Sequence, residues 1–228
     1  MESEKVYMKK RNIVLLVILG LLLSICIFFS FFGKTYPSNV TLNKDTKTIN
    51  ALHMDPSLFL SQTYNNCGPY SAMAAINIVN GELTDPEQLA KETKYRIIDN
   101  LTLPQGVVKL LKDHDVKVEQ YILKNLTDDE KILFLKNQID NGHPVILLIR
   151  IDGYLHYVTI LGYNERGFML YESLMPPKEE GTRITTRDYY ATEGNCYSLN
   201  TRIISLWNNG GVGPFFNNYA IVCSNSKE

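Results

Sequence analysis

The sequence predicts an α+β domain in which helices come first and pack on a C-terminal antiparallel sheet. Three observations predict it. Helical periodicity and helix-start signals fill residues 67–141. Two β-rich runs follow, Pro144–Ile151 and Tyr154–Tyr163. Asp152-Gly153 between them is a tight-turn dipeptide that makes the pair a hairpin.

Each element has its own signal. Cys67–Val79 is helical in pattern and is closed by Asn80-Gly81, where glycine supplies the left-handed conformation that ends helices. Thr84-Asp85-Pro86-Glu87 reads as a capping box that opens a helix running to about Lys94. Pro104–His114 is a third helix and Lys117–Leu123 alternates as a strand. Thr127-Asp128-Asp129-Glu130 is a second capping box, and its helix stops at Asn141-Gly142. After the hairpin, Asn164–Gly167 turns the chain, Phe168–Ser173 is a strand, and Asn218–Cys223 is the last one. The stretch between has little pattern. Its Tyr189-Tyr190 and its Trp207–Gly211 loop either line a cleft or pack in the core.

The chain has 228 residues, with 23 Lys+Arg against 24 Asp+Glu and 45% hydrophobic residues. The charge is unevenly placed. Residues 1–11 form a basic tail of net charge +2, which leaves −3 for the rest. No Lys/Arg cluster follows residue 11, so nucleic acid is excluded as a partner. In Ile13–Phe32, 17 of 20 residues are apolar and none is charged. Twenty residues of helix span about 30 Å, the thickness of a bilayer's hydrocarbon core. Residues 12–33 are therefore expected to form a single-pass anchor. The basic residues before it set the N-terminus in the cytoplasm and the domain outside. A cleaved signal peptide is the rival, but Phe31, Phe32 and Gly33 make a poor cleavage site. Leu23-Ser24-Ile25-Cys26 resembles a lipoprotein box only faintly, because Ile25 stands where a small residue belongs. Residues 34–54 read as a linker, and residues 55–228 as the domain.

One stretch carries chemistry. In Gln62–Ala72, Cys67 falls where loop becomes helix, and Pro69 suits an early helical position because its missing N–H would be unpaired there. A thiol at a helix N-terminus feels the positive end of the macrodipole, which favours thiolate. Gly68 keeps the approach to the sulfur open. Gln62 lies five residues upstream, where its amide could join the Cys67 N–H as an oxyanion-hole donor. The plainer reading is a buried structural cysteine with a polar neighbour. A thiolate also needs an acid and base, the work of histidine. His53 lies in the linker, His114 at a helix end and His143 in a turn, whereas His156 sits near the start of a strongly apolar strand. An imidazole needs an orienting partner, and Glu172 on the next strand is the candidate. A turn centred on Asn164 makes His156 and Glu172 cross-strand neighbours, while a loop of Asn164–Gly167 loosens that pairing. No metal-ligand spacing is present, so neither metal nor cofactor is expected. Cys196 and Cys223 either form a disulfide outside the cytoplasm or stay free and packed.

These residues resemble a family. Gln62-x4-Cys67-Gly68-Pro69, Gly142-His143-Pro144-Val145, His156-Tyr157-Val158-x3-Gly162-Tyr163 and Tyr171-Glu172-Ser173 look like the papain-like cysteine peptidases that process double-glycine leader peptides of bacteriocins, and most like their stand-alone relatives. Leu103–Val108 and Tyr219–Val222 agree as well, so the resemblance spans about residues 55–223. It implies a papain-like fold and a peptide or protein substrate. It also implies Cys67 as nucleophile, His156 as base, Gln62 as oxyanion donor and Glu172 as third member, where the family more often has Asp or Asn. The function expected is a membrane-anchored extracytoplasmic cysteine peptidase. The alternatives are a catalytically relaxed peptide-binding module or an acyl-transferring, transpeptidase-like relative.

Overall fold

The computed structural model describes residues 12–25, 36–174, 194–212 and 215–227. The chain divides into two units, Met1–Tyr36 and Pro37–Glu228. In the first, residues 12–25 form helix α1, whose apolar side chains from Ile13 to Ile25 are exposed. Among the described residues no helix is long and apolar enough to cross a membrane. The basic tail and residues 26–33 of the expected anchor lie outside the described residues, as do Tyr189 and Tyr190.

The second unit is α+β. Its sheet has seven strands: β1 (Asn50–Ala51), β2 (Val116–Ile122), β3 (Val145–Ile151), β4 (Tyr154–Tyr163), β5 (Gly167–Tyr171), β6 (Cys196–Leu199) and β7 (Tyr219–Asn225). Their order is β2-β7-β3-β4-β5-β6, with β1 beside β4, and all the pairings are antiparallel. Asp152 (φ 49°) and Gly153 (φ 86°) make the β3–β4 turn, both in the left-handed region that a two-residue hairpin requires. Between β4 and β5, Tyr163 pairs with Phe168 and Asn164 N donates to Gly167 O at 2.9 Å, so the turn is centred between residues 165 and 166 and not on Asn164.

Among the described residues five α-helices surround this sheet: α2 (Cys67–Asn80), α3 (Pro86–Glu92), α4 (Pro104–Asp113), α5 (Asp128–Asp140) and α6 (Asn200–Asn208). They pack on both of its faces, and one of them, α6, comes late in the chain, after β6. Helix α2 is anchored on β4 by Thr159 Oγ1, which donates to Ser71 O at 3.1 Å. The alternate residues Val145, Leu147 and Ile149 of β3 and Val158 and Ile160 of β4 pack against Phe134, Leu135 and Ile139 of α5 and Ile203, Ile204 and Trp207 of α6. Trp207 is helical and fully buried, with Nε1 donating to Tyr219 O at 2.9 Å, so it fills the core.

The caps differ from one another. Thr127 and Glu130 form the reciprocal box expected at the start of α5. At α3 no box forms: Asp85 is the cap, its side chain accepting from Glu87 N, and the helix ends at Glu92. Asp85 stands one residue nearer the Pro that begins the helix, so its shorter route to the orphan N–H wins over Thr84. Within the second unit, residues 37–54 of the expected linker are a strap lying across the domain. Val40, Leu42 and Leu52 pack on the core. Asn43 and Asn137 exchange two hydrogen bonds of 2.8 Å, and Asn50 Nδ2 donates to Asp140 Oδ1 at 2.9 Å.

Candidate active site

Cys67 is the first residue of α2 and is 8% exposed. The loop before it turns tightly, with Asn66 N donating to Thr63 O at 3.1 Å and Asn65 in the left-handed region at φ 52°. The sequence reading gives Gly68 the task of keeping the approach to the sulfur open, and the structure shows a packing role for it. A Cβ there would stand 3.0 Å from Thr102 Cβ and 3.2 Å from Val107 Cγ2, so its smallness serves the close packing of α2 on the start of α4.

His156 is buried near the start of β4. Its Nε2 lies 2.5 Å from Glu172 Oε1, a pair in which both side chains are almost wholly buried. The ring also lies near enough to the Cys67 side chain for the two to interact. With Nε2 held by the carboxylate, Nδ1 is the nitrogen left to face the sulfur. Burial alone would lower the pKa of this imidazole. Interaction with Cys67 and with the Glu172 carboxylate that accepts from the ring, together with their negative charges, overcomes it and raises the pKa from 6.5 to about 10.

A β-bulge brings the carboxylate into reach. Tyr163 is level with Phe168 and Gly162 with Met169, but Ile160 is level with Leu170 and Thr159 with Tyr171, so Leu161 is an extra residue in β4. Carried one step on, the shifted register sets Glu172 level with Val158. That is the side of the strand pair on which His156 lies, two residues away. Without the bulge Glu172 would be level with Thr159 and on the other side. The contact is therefore diagonal, longer than a direct cross-strand pair, and the extra methylene of Glu spans it.

Gln62 is aligned with the residue after Glu172. Its N–H donates to Ser173 O at 2.7 Å, and Ser173 Oγ donates to Gln62 Oε1 at 2.7 Å. Since Oε1 accepts from Ser173, Nε2 is the end of the amide that can donate. The structure thus gathers all four sequence-predicted residues, Gln62, Cys67, His156 and Glu172. The other histidines lie apart: His53 is exposed, His114 is beside Glu82 and Glu92, and His143 Nδ1 is 3.4 Å from Gln138 Oε1.

Two supporting residues escaped the sequence reading. Asn195 is fully buried; its Nδ2 donates to Glu172 O at 3.0 Å and its Oδ1 accepts from Glu172 N at 2.8 Å. This side chain stands in for one rung of the β5–β6 ladder and fixes the backbone that carries the carboxylate. The other is Ser173, part of a quoted motif but given no role. A disulfide between Cys196 and Cys223 does not form. Both are free, and β6 is four strand spacings from β7, about 19 Å, where a bridge needs Cα atoms within about 7 Å. Among the described residues no group of His, Cys, Asp or Glu could hold a metal ion.

A thiol at a helix start, an imidazole beside it and a carboxylate behind the imidazole form a constellation of the kind used in nucleophilic acyl transfer. The model of the Peptidase_C39 like family matches residues 48–199, a stretch that includes all four residues, and the chain belongs to that family. Among solved structures, the chain is similar to a protein of Bacillus anthracis described as a C39-like peptidase, at 13% identity and a TM-score of 0.49, covering 77% of this chain and 98% of that one. It is also similar to the peptidase domain of Streptococcus ComA, a bi-functional ABC transporter involved in a quorum-sensing pathway. There the identity is 13% and the TM-score 0.42, over 73% of this chain and 96% of that one. No curated protein sequence matches.

Proposed function

We propose that this chain is a cysteine peptidase that hydrolyses peptide bonds through Cys67, His156 and Glu172, held outside the cytoplasm by its N-terminal apolar segment. The observation that carries the reading is His156, buried against the Glu172 carboxylate on one side and interacting with the Cys67 side chain on the other. The Cys67 sulfur, its proton held by His156, attacks the peptide carbonyl carbon. The oxyanion that forms is met by the Cys67 N–H and Gln62 Nε2. As the intermediate collapses, the C–N bond breaks, the His156 imidazolium gives its proton to the leaving amine, and a thioester remains. His156 then takes a proton from water, the hydroxide attacks the thioester, and the acid product leaves as the thiolate is restored.

The anchor reading rests on the uncharged run Ile13–Phe32 and the basic residues that precede it. One experiment tests sidedness and chemistry together: a biotinylated, membrane-impermeant electrophile applied to intact cells. Labelling at Cys67 that disappears in a His156→Ala variant is the expected result. Labelling only after the cells are opened would overturn the placement, and labelling indifferent to His156 would overturn the mechanism.

Gln62→Ala is expected to lower kcat about 100-fold with little change in KM, because an oxyanion donor acts in the transition state. Ser173→Ala acts only through Gln62 and should cost less, about ten-fold. Steady-state kinetics on one peptide substrate checks both, and an equal loss in KM would remove Gln62 from this role.

A further inference from the structure

Asn66 directly precedes the nucleophile at the N-cap of α2, and asparagine is among the residues best suited to cap a helix. Its side chain caps nothing. Asn66 Oδ1 accepts from Arg96 Nη2 at 2.5 Å, and Asn66 Nδ2 donates to Thr63 Oγ1 at 2.6 Å. Thr63 Oγ1 donates in turn to Glu87 Oε1 at 2.7 Å, which also accepts from Tyr70 Oη at 2.7 Å. The direction of this chain is forced. Guanidinium can only donate and carboxylate can only accept, so Asn66 must turn its oxygen to Arg96 and its nitrogen to Thr63. Arg96 is itself fixed by the carbonyls of Ala90 (3.1 Å) and Asn100 (2.7 Å).

The consequence lies at the start of α2. Tyr70 N–H is satisfied by Asn66 O at 3.1 Å, and Pro69 has no N–H. Of the first-turn donors this leaves the amides of Cys67 and Gly68. The one within reach of an Asn66 cap is that of Gly68, the second helical residue. We infer that Arg96 is a positioning residue: it holds the Asn66 side chain off the N-terminus of α2, so that the first two amides stay turned toward the Cys67 sulfur and toward the substrate oxygen. The inference rests on the peptidase reading above. The charged and titratable groups around the sulfur are His156 and Tyr157 from β4 and Arg96 from the α3–α4 loop. Glu172 stands behind His156, and Glu87 of α3 faces Arg96. Arg96 feels the charge of Cys67, so it contributes a cation as well as a clamp.

The test is the pH dependence of iodoacetamide alkylation, read by mass spectrometry at Cys67 in the full-length chain. Arg96→Met is expected to move the labelling midpoint up by about one pH unit, because the freed Asn66 carbonyl turns its negative end to the helix start. Adding Asn66→Ala to Arg96→Met is expected to recover part of that shift, since no side chain is then left to cap. An unmoved midpoint in Arg96→Met, or no recovery in the double variant, overturns the inference. Should Arg96→Met melt without cooperativity, Arg96→Lys, which keeps the charge and loses the planar fork, carries the same comparison. A wild-type midpoint near the free-thiol value of about 8.5 would instead overturn the peptidase reading itself, so the two failures are distinguishable.

Discussion

A Cys67→Ala variant is expected to lose peptide hydrolysis down to the uncatalysed background, a fall of roughly 10⁴-fold or more, while its melting temperature stays close to that of wild type. The substitution removes one sulfur at the first residue of α2, where Cys67 is 8% exposed, and leaves the remaining buried residues of the helix in place. No other described cysteine can take over. Burial pushes the Cys196 thiol up to about 12 and the Cys223 thiol higher still, so neither is a thiolate near neutral pH. Activity-based labelling should vanish with the same substitution. Hydrolysis that survived in purified Cys67→Ala would assign the chemistry elsewhere.

His156→Ala is expected to cost almost as much, about 10³-fold, since the acid, the base and the partner of the sulfur are one group. Its pH signature is more telling than its size. The imidazole pKa is raised to about 10 by Cys67 and Glu172, so the wild-type kcat/KM profile should hold its alkaline limb far above the ordinary histidine range. Glu172→Gln removes one of the two negative partners, and the limb should move down. A stability effect follows with a definite sign. The folded-state pKa lies above the unfolded value, so the stabilisation is fully present below about pH 6.5 and is lost as pH rises through about 10. Melting temperatures of wild type and His156→Ala should therefore converge between those limits. An alkaline limb near pH 6.5 in the wild type would refute the charged pair.

The parts of this site that were legible in the sequence are those that local rules dictate. Cys67 announces itself because a loop, a cysteine and an early proline can be arranged in few ways at a helix start. His156 stands out because a polar residue in so apolar a strand needs a partner. The Glu172 pairing was only half legible. Turn length could be read from Asn164–Gly167, but the extra residue at Leu161 could not, since a bulge is decided by what packs on the strand. Asn195 was invisible for a different reason. It acts on Glu172 from 23 residues away, through two backbone groups that carry no sequence signal. Helix α6 was missed because Trp207 lies beside Asn208-Asn209-Gly210-Gly211, a turn-like string, whereas tertiary burial of the indole holds the nine residues Asn200–Asn208 helical. Gly68 was read as access to the sulfur because a helix alone does not reveal which neighbour presses on it.

The strap from Pro37 to Leu52 decides where the chain can be cut. A break on the N-terminal side of Pro37 would shed a complete domain, with Val40, Leu42 and Leu52 still seated on the core. A break just after Leu52 would remove those side chains together with β1. Gly162 would be left bare along the edge where it now meets Ala51 so closely that even a methyl group would not fit. Separation of the two units of the chain and loss of the fold are thus sixteen residues apart.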